Sequence, residues 1–217
     1  MKPSNRINNE HLVINLAAVT GLRFSNTATS SSRNRKLQQL KSSIVKLIFP
    51  LLIFLPYAGT AQIGLNKITL LDGKVQFSAP KELSPITDEA WKVKYHDMPK
   101  PTLALSDEAG EINLIVDLTK QPATEDQLDS YRDFRVEKLK KTIPDIKILS
   151  DSVKSVNGRK IGYIKFISQA SDQNIFNYYF FTVANGKILF FTFNCIETLQ
   201  KPWESEADKI IESLRIK

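Results

Sequence analysis

The sequence has a single cysteine, Cys195, and only one histidine beyond residue 61, His96. One cysteine excludes an intramolecular disulfide and any paired-cysteine motif. A zinc site needs three or four nitrogen or sulfur ligands, and one histidine with one cysteine cannot supply them. Glycine is scarce, with eight residues in 217, which leaves little material for tight ligand-cradling loops. No glycine-rich phosphate loop and no G-x-S-x-G nucleophile elbow is present. No cofactor is expected.

A basic excess is also missing where it would count. The chain carries a formal net charge of +7. Eight of its 30 cations but one of its 23 anions fall in residues 1–61, so residues 62–217 hold 22 of each. Binding through counterion release from a nucleic-acid backbone needs a net basic surface. Composition therefore argues against a nucleic-acid partner.

What is present begins with an apolar run. Residues 44–58 read IVKLIFPLLIFLPYA, behind Arg33, Arg35, Lys36, Lys41 and Lys46. Gly59, Thr60 and Ala61 follow, then Gln62. A basic region, an apolar region and small residues at a cleavage position are the parts of a secretory signal. Cleavage is expected between Ala61 and Gln62, with residues 34–61 removed and contact with the membrane only transient. The protein is then exported, periplasmic or secreted. The alternative is a membrane anchor that retains residues 44–61. That run is 18 residues long and contains Pro50 and Pro56, short and broken for a spanning helix. No cysteine stands at the cleavage position to carry a lipid. Residues 1–33 are polar, with a Thr/Ser-rich stretch, and read as a disordered extension or as sequence ahead of a later start near Leu40.

Residues 62–217 read as one domain. Ile68–Leu71, the Asp72-Gly73 turn and Val75–Phe77 form a hairpin. Trp91, Val93 and Tyr95 alternate with polar residues and predict a strand. Thr102–Leu105 and the apolar Ile112–Leu118 are two more. Thr124 is the N-cap of a helix to about Thr142, with Gln127 at the capping-box position and Pro144 as the stop. Four strands follow: Ile146–Val156, Lys160–Gln169, Ile175–Ala184 and Lys187–Asn194. Asn157-Gly158 and Asn185-Gly186 are hairpin turns, because both residue types tolerate positive φ. The last two strands are apolar on both faces and belong mid-sheet. A terminal helix opens at Pro202, with Trp203, Ala207, Ile210, Ile211 and Leu214 on its apolar stripe. These elements give an α+β domain, an antiparallel β-sheet flanked by α-helices.

The order of these pieces carries a resemblance. A long helix is followed by Ile143-Pro144-Asp145, then Val156-Asn157-Gly158-Arg159, an aromatic strand, Asn185-Gly186-Lys187 and Phe190-Phe191-Thr192-Phe193. A tryptophan-containing helix closes with Ile210-Ile211-Glu212-Ser213-Leu214. This resembles the PsbP/DcrB-like superfamily over roughly residues 66–216. The resemblance implies a central antiparallel sheet with helices against it, acting as a binding or accessory module without chemistry of its own. No functional residue is carried over, because fold does not fix function.

The candidate chemistry reads mostly as structure. His96 beside Asp97 is the one possible base or metal ligand, and its strand-end position suggests a solvated residue. Cys195 follows an apolar run and reads as packing. Asp107, Glu108 and Glu111 lack the spacing of a calcium loop and read as a hairpin turn. Asp126, Asp129, Arg132, Asp133 and Arg135 read as a solvated, ion-paired helix face. The aromatics crowd two adjacent strands. If one sheet face is open, Phe176, Tyr178, Tyr179 and Phe181 are the interaction surface for a protein partner or a small apolar ligand. An uncharacterised hydrolase with dispersed carboxylates is the enzymatic alternative.

Overall fold

The computed structural model describes residues 63–96 and 98–217. The expected extension over residues 1–33, the expected signal segment 34–61 with its expected cleavage pair Ala61 and Gln62, and Asp97 lie outside the described residues.

The chain runs β1 (Leu65–Leu70), β2 (Val75–Pro80), β3 (Ser84–Pro85), α1 (Asp88–Tyr95), β4 (Leu103–Ser106) and β5 (Ile112–Pro122). It continues through α2 (Leu128–Thr142), β6 (Lys147–Val156), β7 (Arg159–Gln169), β8 (Asn174–Ala184), β9 (Lys187–Ile196), α3 (Gln200–Ser213) and β10 (Arg215–Ile216). Seven strands form one sheet in the order β3-β4-β5-β9-β8-β7-β6, and β1-β2-β10 form a small second sheet. All pairings are antiparallel. The α+β class is thus as expected.

The two Asn-Gly turns set the register of β6 with β7 and of β8 with β9. Asn157 and Gly158 have φ of 53° and 77°, and Asn185 and Gly186 have 50° and 67°. Paired positive φ values match the right-handed twist of the flanking strands. From those turns the ladder places β8 and β9 mid-sheet, where both faces of each are covered.

The segment Trp91–Tyr95 departs from expectation: it is helical. Thr87 Oγ1 accepts from the Ala90 amide at 3.1 Å, and Asp88 and Glu89 occupy the first turn. Both favour the positive helix end. Trp91 and Tyr95 stand one turn apart with rings 4.1 Å between centroids, while Val93 points outward at 61% exposure. An alternating trio over five residues also fits a one-turn spacing, and the cap decides between them.

Two apolar layers sandwich the large sheet. On the first face, Trp203, Ala207, Ile210 and Ile211 of α3 and Phe77 of β2 pack on Tyr178, Phe180, Phe191 and Phe193. On the second face, Leu128, Tyr131, Val136 and Leu139 of α2 pack on Ile164, Phe166, Phe181 and Phe190, and α1 covers Ile115 with Trp91 and Tyr95. Phe180 stacks on Phe191 at 4.6 Å and Phe181 on Phe190 at 5.7 Å. Each buried phenylalanine contributes about 1.5–3 kcal/mol. Among the described residues no helix is long and apolar enough to cross a membrane.

Candidate functional site

The aromatic surface is corrected first. Phe176, Tyr178, Tyr179 and Phe181 are all 0% exposed. Phe176 and Tyr178 lie in the first core layer, and Tyr179 and Phe181 in the second. Neighbouring residues on a strand point to opposite faces, and helices cover both faces of β8. The four rings therefore form core, not an open face.

His96 is exposed and caps α1, its amide donating to the Lys92 carbonyl at 2.9 Å. Cys195 is buried on the first face, where burial and then the Glu204 charge push its thiol up to about 12. Asp107 accepts from the Ile112 amide at 2.8 Å and closes the β4–β5 turn. Among the described residues no group of three or more His, Cys, Asp or Glu side chains is placed to hold a metal ion.

The polar chemistry of the interior gathers elsewhere, on the second sheet face between α1 and α2. Asn113, Asn194 and Asn177 are register partners on β5, β9 and β8. All three are fully buried. Asn113 Nδ2 donates to Asn194 Oδ1 at 3.0 Å, and Asn177 Nδ2 donates to Ser168 Oγ at 2.9 Å. Lys94 reaches in from α1, its Nζ donating to Asn113 Oδ1 at 3.0 Å and to the Gly110 carbonyl at 3.2 Å. Burial lowers the Lys94 ammonium, and the nearby Asp107 charge partly offsets it.

Two rows further along the strands, Asp117 pairs directly with Phe190. Burial raises the Asp117 carboxyl against two hydrogen bonds from Thr102. Over the same Phe190 ring lies the Arg135 guanidinium from α2, with Cζ 4.9 Å from the ring centroid. Arg135 is 1% exposed. The expected solvated, ion-paired face of α2 holds for Arg132, which meets Asp129, Asp133 and Asp151, but not for Arg135. The reason is the helical period, which turns Arg135 onto the stripe of Leu128, Tyr131 and Leu139.

Tyr95 Oη, Asp117 Oδ2, Arg135 Nε and Nη2, Asn177 Oδ1 and Asn194 Nδ2 are buried without a hydrogen-bond partner. All sit on this face. Buried polar groups are normally paired, with protein or with ordered water, and Glu206 Oε2 on α3 is a further unpaired one away from this face. A groove of about 400 Å³ opens beside it, lined by Gln121, Pro122, Ala123, Gln127, Ser130, Tyr131 and Phe134. The arrangement offers donors, acceptors and the basic side chains of Lys94 and Arg135, but no nucleophile with an adjacent base. The sequence carried a signal for the asparagines: each interrupts a strand that is apolar on both faces. For Arg135 the signal was its helical spacing from Tyr131 and Leu139.

No known protein-family profile matches the sequence, and no curated protein is similar to it in sequence. Solved structures are similar in fold. Cyanobacterial PsbP from Synechocystis superposes with a TM-score of 0.52 at 13% identity, covering 73% of this chain and 96% of that one. The Ran-binding protein Mog1p of Saccharomyces cerevisiae gives 0.50 at 11% identity, covering 71% and 96%. This chain has the PsbP-like fold.

Proposed function

We propose that this chain is an exported, non-catalytic binding module of the PsbP-like type. The observation that carries the reading is the face between α1 and α2. Its unpaired interior groups are a guanidinium, amides, a phenol and a half-buried carboxyl, a set suited to holding a ligand rather than to transferring a group. The residues best suited to covalent or acid–base work stand apart from it. Cys195 is on the opposite face with a raised thiol, and His96 is exposed at the end of α1. One structural neighbour is a Ran-binding protein, so the same fold supports protein binding there. Export is supported by the order of basic, apolar and small residues ahead of Gln62.

The test is expression of the full chain in a bacterial host, followed by fractionation and N-terminal sequencing. The exported fraction is expected to hold a protein beginning at Gln62. Carbonate-resistant membrane association of the intact chain would instead favour a tether through residues 44–61. A soluble cytoplasmic chain of full length refutes export. Bond-breaking activity lost on replacing His96 or Cys195 refutes the non-catalytic reading.

A further inference from the structure

We infer that the hairpin-turn end of the domain docks on an anionic lipid surface through Lys74, Lys187, Arg215 and Lys217. The inference goes beyond the binding-module reading, and it adds a lasting membrane contact to the transient one expected of the signal segment.

The fold gathers these four cations. Lys74 closes the β1–β2 turn, Lys187 opens β9 after the Asn185-Gly186 turn, Arg215 opens β10 and Lys217 follows it. Lys74 Nζ donates to Asn185 Oδ1 at 3.3 Å, which ties two of the turns together. The Lys217 amide donates to the Lys74 carbonyl at 2.9 Å and prolongs the β10–β2 ladder beyond Ile216 and Val75. Asn157 of the β6–β7 turn donates to the Glu212 and Leu214 carbonyls at 2.8 and 2.9 Å, and Arg215 Nη1 donates to the same two at 3.0 Å. Three hairpin turns and the last strand therefore meet at one end of the molecule. All four cationic residues are exposed.

Their charge is poorly answered by the protein itself. Lys217 stands opposite Lys74, and like charges directly opposed destabilise a strand pair. Among the described residues none of the four meets a carboxylate in an ion pair. Of the carboxylates near this end, Glu125 is taken by Arg159 at 2.8 Å, and Asp126 lies in the field of Lys160. Asp72 and Glu212 remain against the four cations. This end is thus net positive although residues 62–217 hold equal numbers of cations and anions.

The kind of charge selects the partner. Protein interfaces are depleted in lysine and carry an apolar core. Here three of the four cations are lysines, and none of the exposed large apolar residues Leu65, Val93, Phe134 and Leu149 lies in these turns. A lysine ammonium is a compact point charge on a flexible stem. It needs no fixed partner geometry, which suits a diffuse layer of lipid headgroups, and each such cation near an anionic leaflet adds to the attraction.

The test uses protein recovered from expression of the full chain, floated with two kinds of vesicle. One is phosphatidylcholine alone, and the other an equal mixture of phosphatidylcholine and phosphatidylglycerol. Binding is expected to favour the phosphatidylglycerol vesicles and to weaken as salt is raised. Changing Lys74, Lys187 and Lys217 together to Gln is expected to weaken that binding by about a hundredfold. Changing Lys92, Lys141 and Lys147 to Gln removes the same charge from exposed positions on α1, α2 and β6, and is expected to leave it unchanged. Equal binding to both vesicles overturns the inference, as does an equal loss in the two triple variants. Capture of soluble polyglutamate without binding to phosphatidylglycerol vesicles overturns it in favour of an acidic protein. If the first triple fails to fold, a phosphatidylglycerol preference that salt does not move overturns it.

Discussion

The Phe181 ring lies where a side chain on Gly162 would stand. A Cβ built on Gly162 would meet Phe181 Cε2 at 2.2 Å and Cζ at 2.5 Å. The two residues are register partners on β7 and β8. The glycine is needed for space, since its φ is not in the left-handed region. Phe181 cannot swing away freely, because it stacks on Phe190 and is met edge-on by Tyr131. Gly162→Ala is expected to cost at least the 1–3 kcal/mol (roughly) of core overpacking. Urea unfolding measures it, and the double change Gly162→Ala, Phe181→Leu is expected to recover part of the loss. An unchanged midpoint in the single variant would contradict the packing.

Cys195 gives a second expectation. It is 1% exposed, and its thiol is pushed up to about 12 by burial and by the Glu204 charge. The thiolate is the reactive form, so native protein near pH ~8 is expected to resist a disulfide reagent and to react once per chain in denaturant. Labelling of the native protein at the rate of a free thiol would show an accessible thiolate and reopen Cys195 as a nucleophile.

Much of this was legible in the sequence, and the misses share a cause. The Asn157-Gly158 and Asn185-Gly186 turns, the Thr124 and Gln127 capping pair and the Trp203 stripe are local signals, and the elements they predict are present. The capping pair is direct, with the Thr124 amide donating to Gln127 Oε1 at 3.0 Å. Helix α1 is not legible in the sequence because eight residues are too few for periodicity to separate helix from strand. Strands β3 and β10, of two residues each, owe their existence to β4 and β2. The helical spacing of Arg135 from Tyr131 and Leu139 encodes its burial in part, but its seat on Phe190, a residue on a distant strand, is not encoded near α2. The apolar runs of β8 and β9 encode their mid-sheet place, but whether a face stays open is decided by where helices land.

Acid stability should depend on Lys165. Its Nζ lies 2.7 Å from Glu204 Oε1 and 4.3 Å from the Tyr178 ring centroid, with its side chain 13% exposed. Burial raises the Glu204 carboxyl, but hydrogen bonds from Lys165 and Gln200 and the Lys165 charge outweigh it, and the group ends below its ordinary value of 4.5. A lowered carboxyl favours the charged form in the fold. Its contribution is therefore full above about pH 4.5 and is lost as pH falls through the lowered folded value. Lys165→Met is expected to lose about 1 kcal/mol near neutral pH and to show a smaller further loss on acidification. Urea midpoints at pH ~7 and pH ~4 measure both proteins. An equal acid loss in the two would remove Lys165 from the account.

At the alkaline end three tyrosines should act together. Burial raises the hydroxyls of Tyr95, Tyr178 and Tyr179 above the ordinary value of 10, and the Asp208 charge adds to the effect at Tyr178. Tyr178 also donates to Asp208 Oδ1 at 2.8 Å, a bond that ionisation would turn into repulsion. The folded state thus keeps these protons while the unfolded chain releases them near pH 10. Stability is full below that pH and falls as pH rises above it, because the unfolded state binds fewer protons. Tyrosinate absorbance is expected to rise in two phases. Accessible phenols titrate first with circular dichroism intact, and the buried three ionise only as the fold is lost. Tyr178→Phe should remove about a third of the second phase and, by ending the bond to Asp208, bring unfolding to lower denaturant. Titration of all the tyrosines in one early phase, ahead of any change in circular dichroism, would place these rings outside the core.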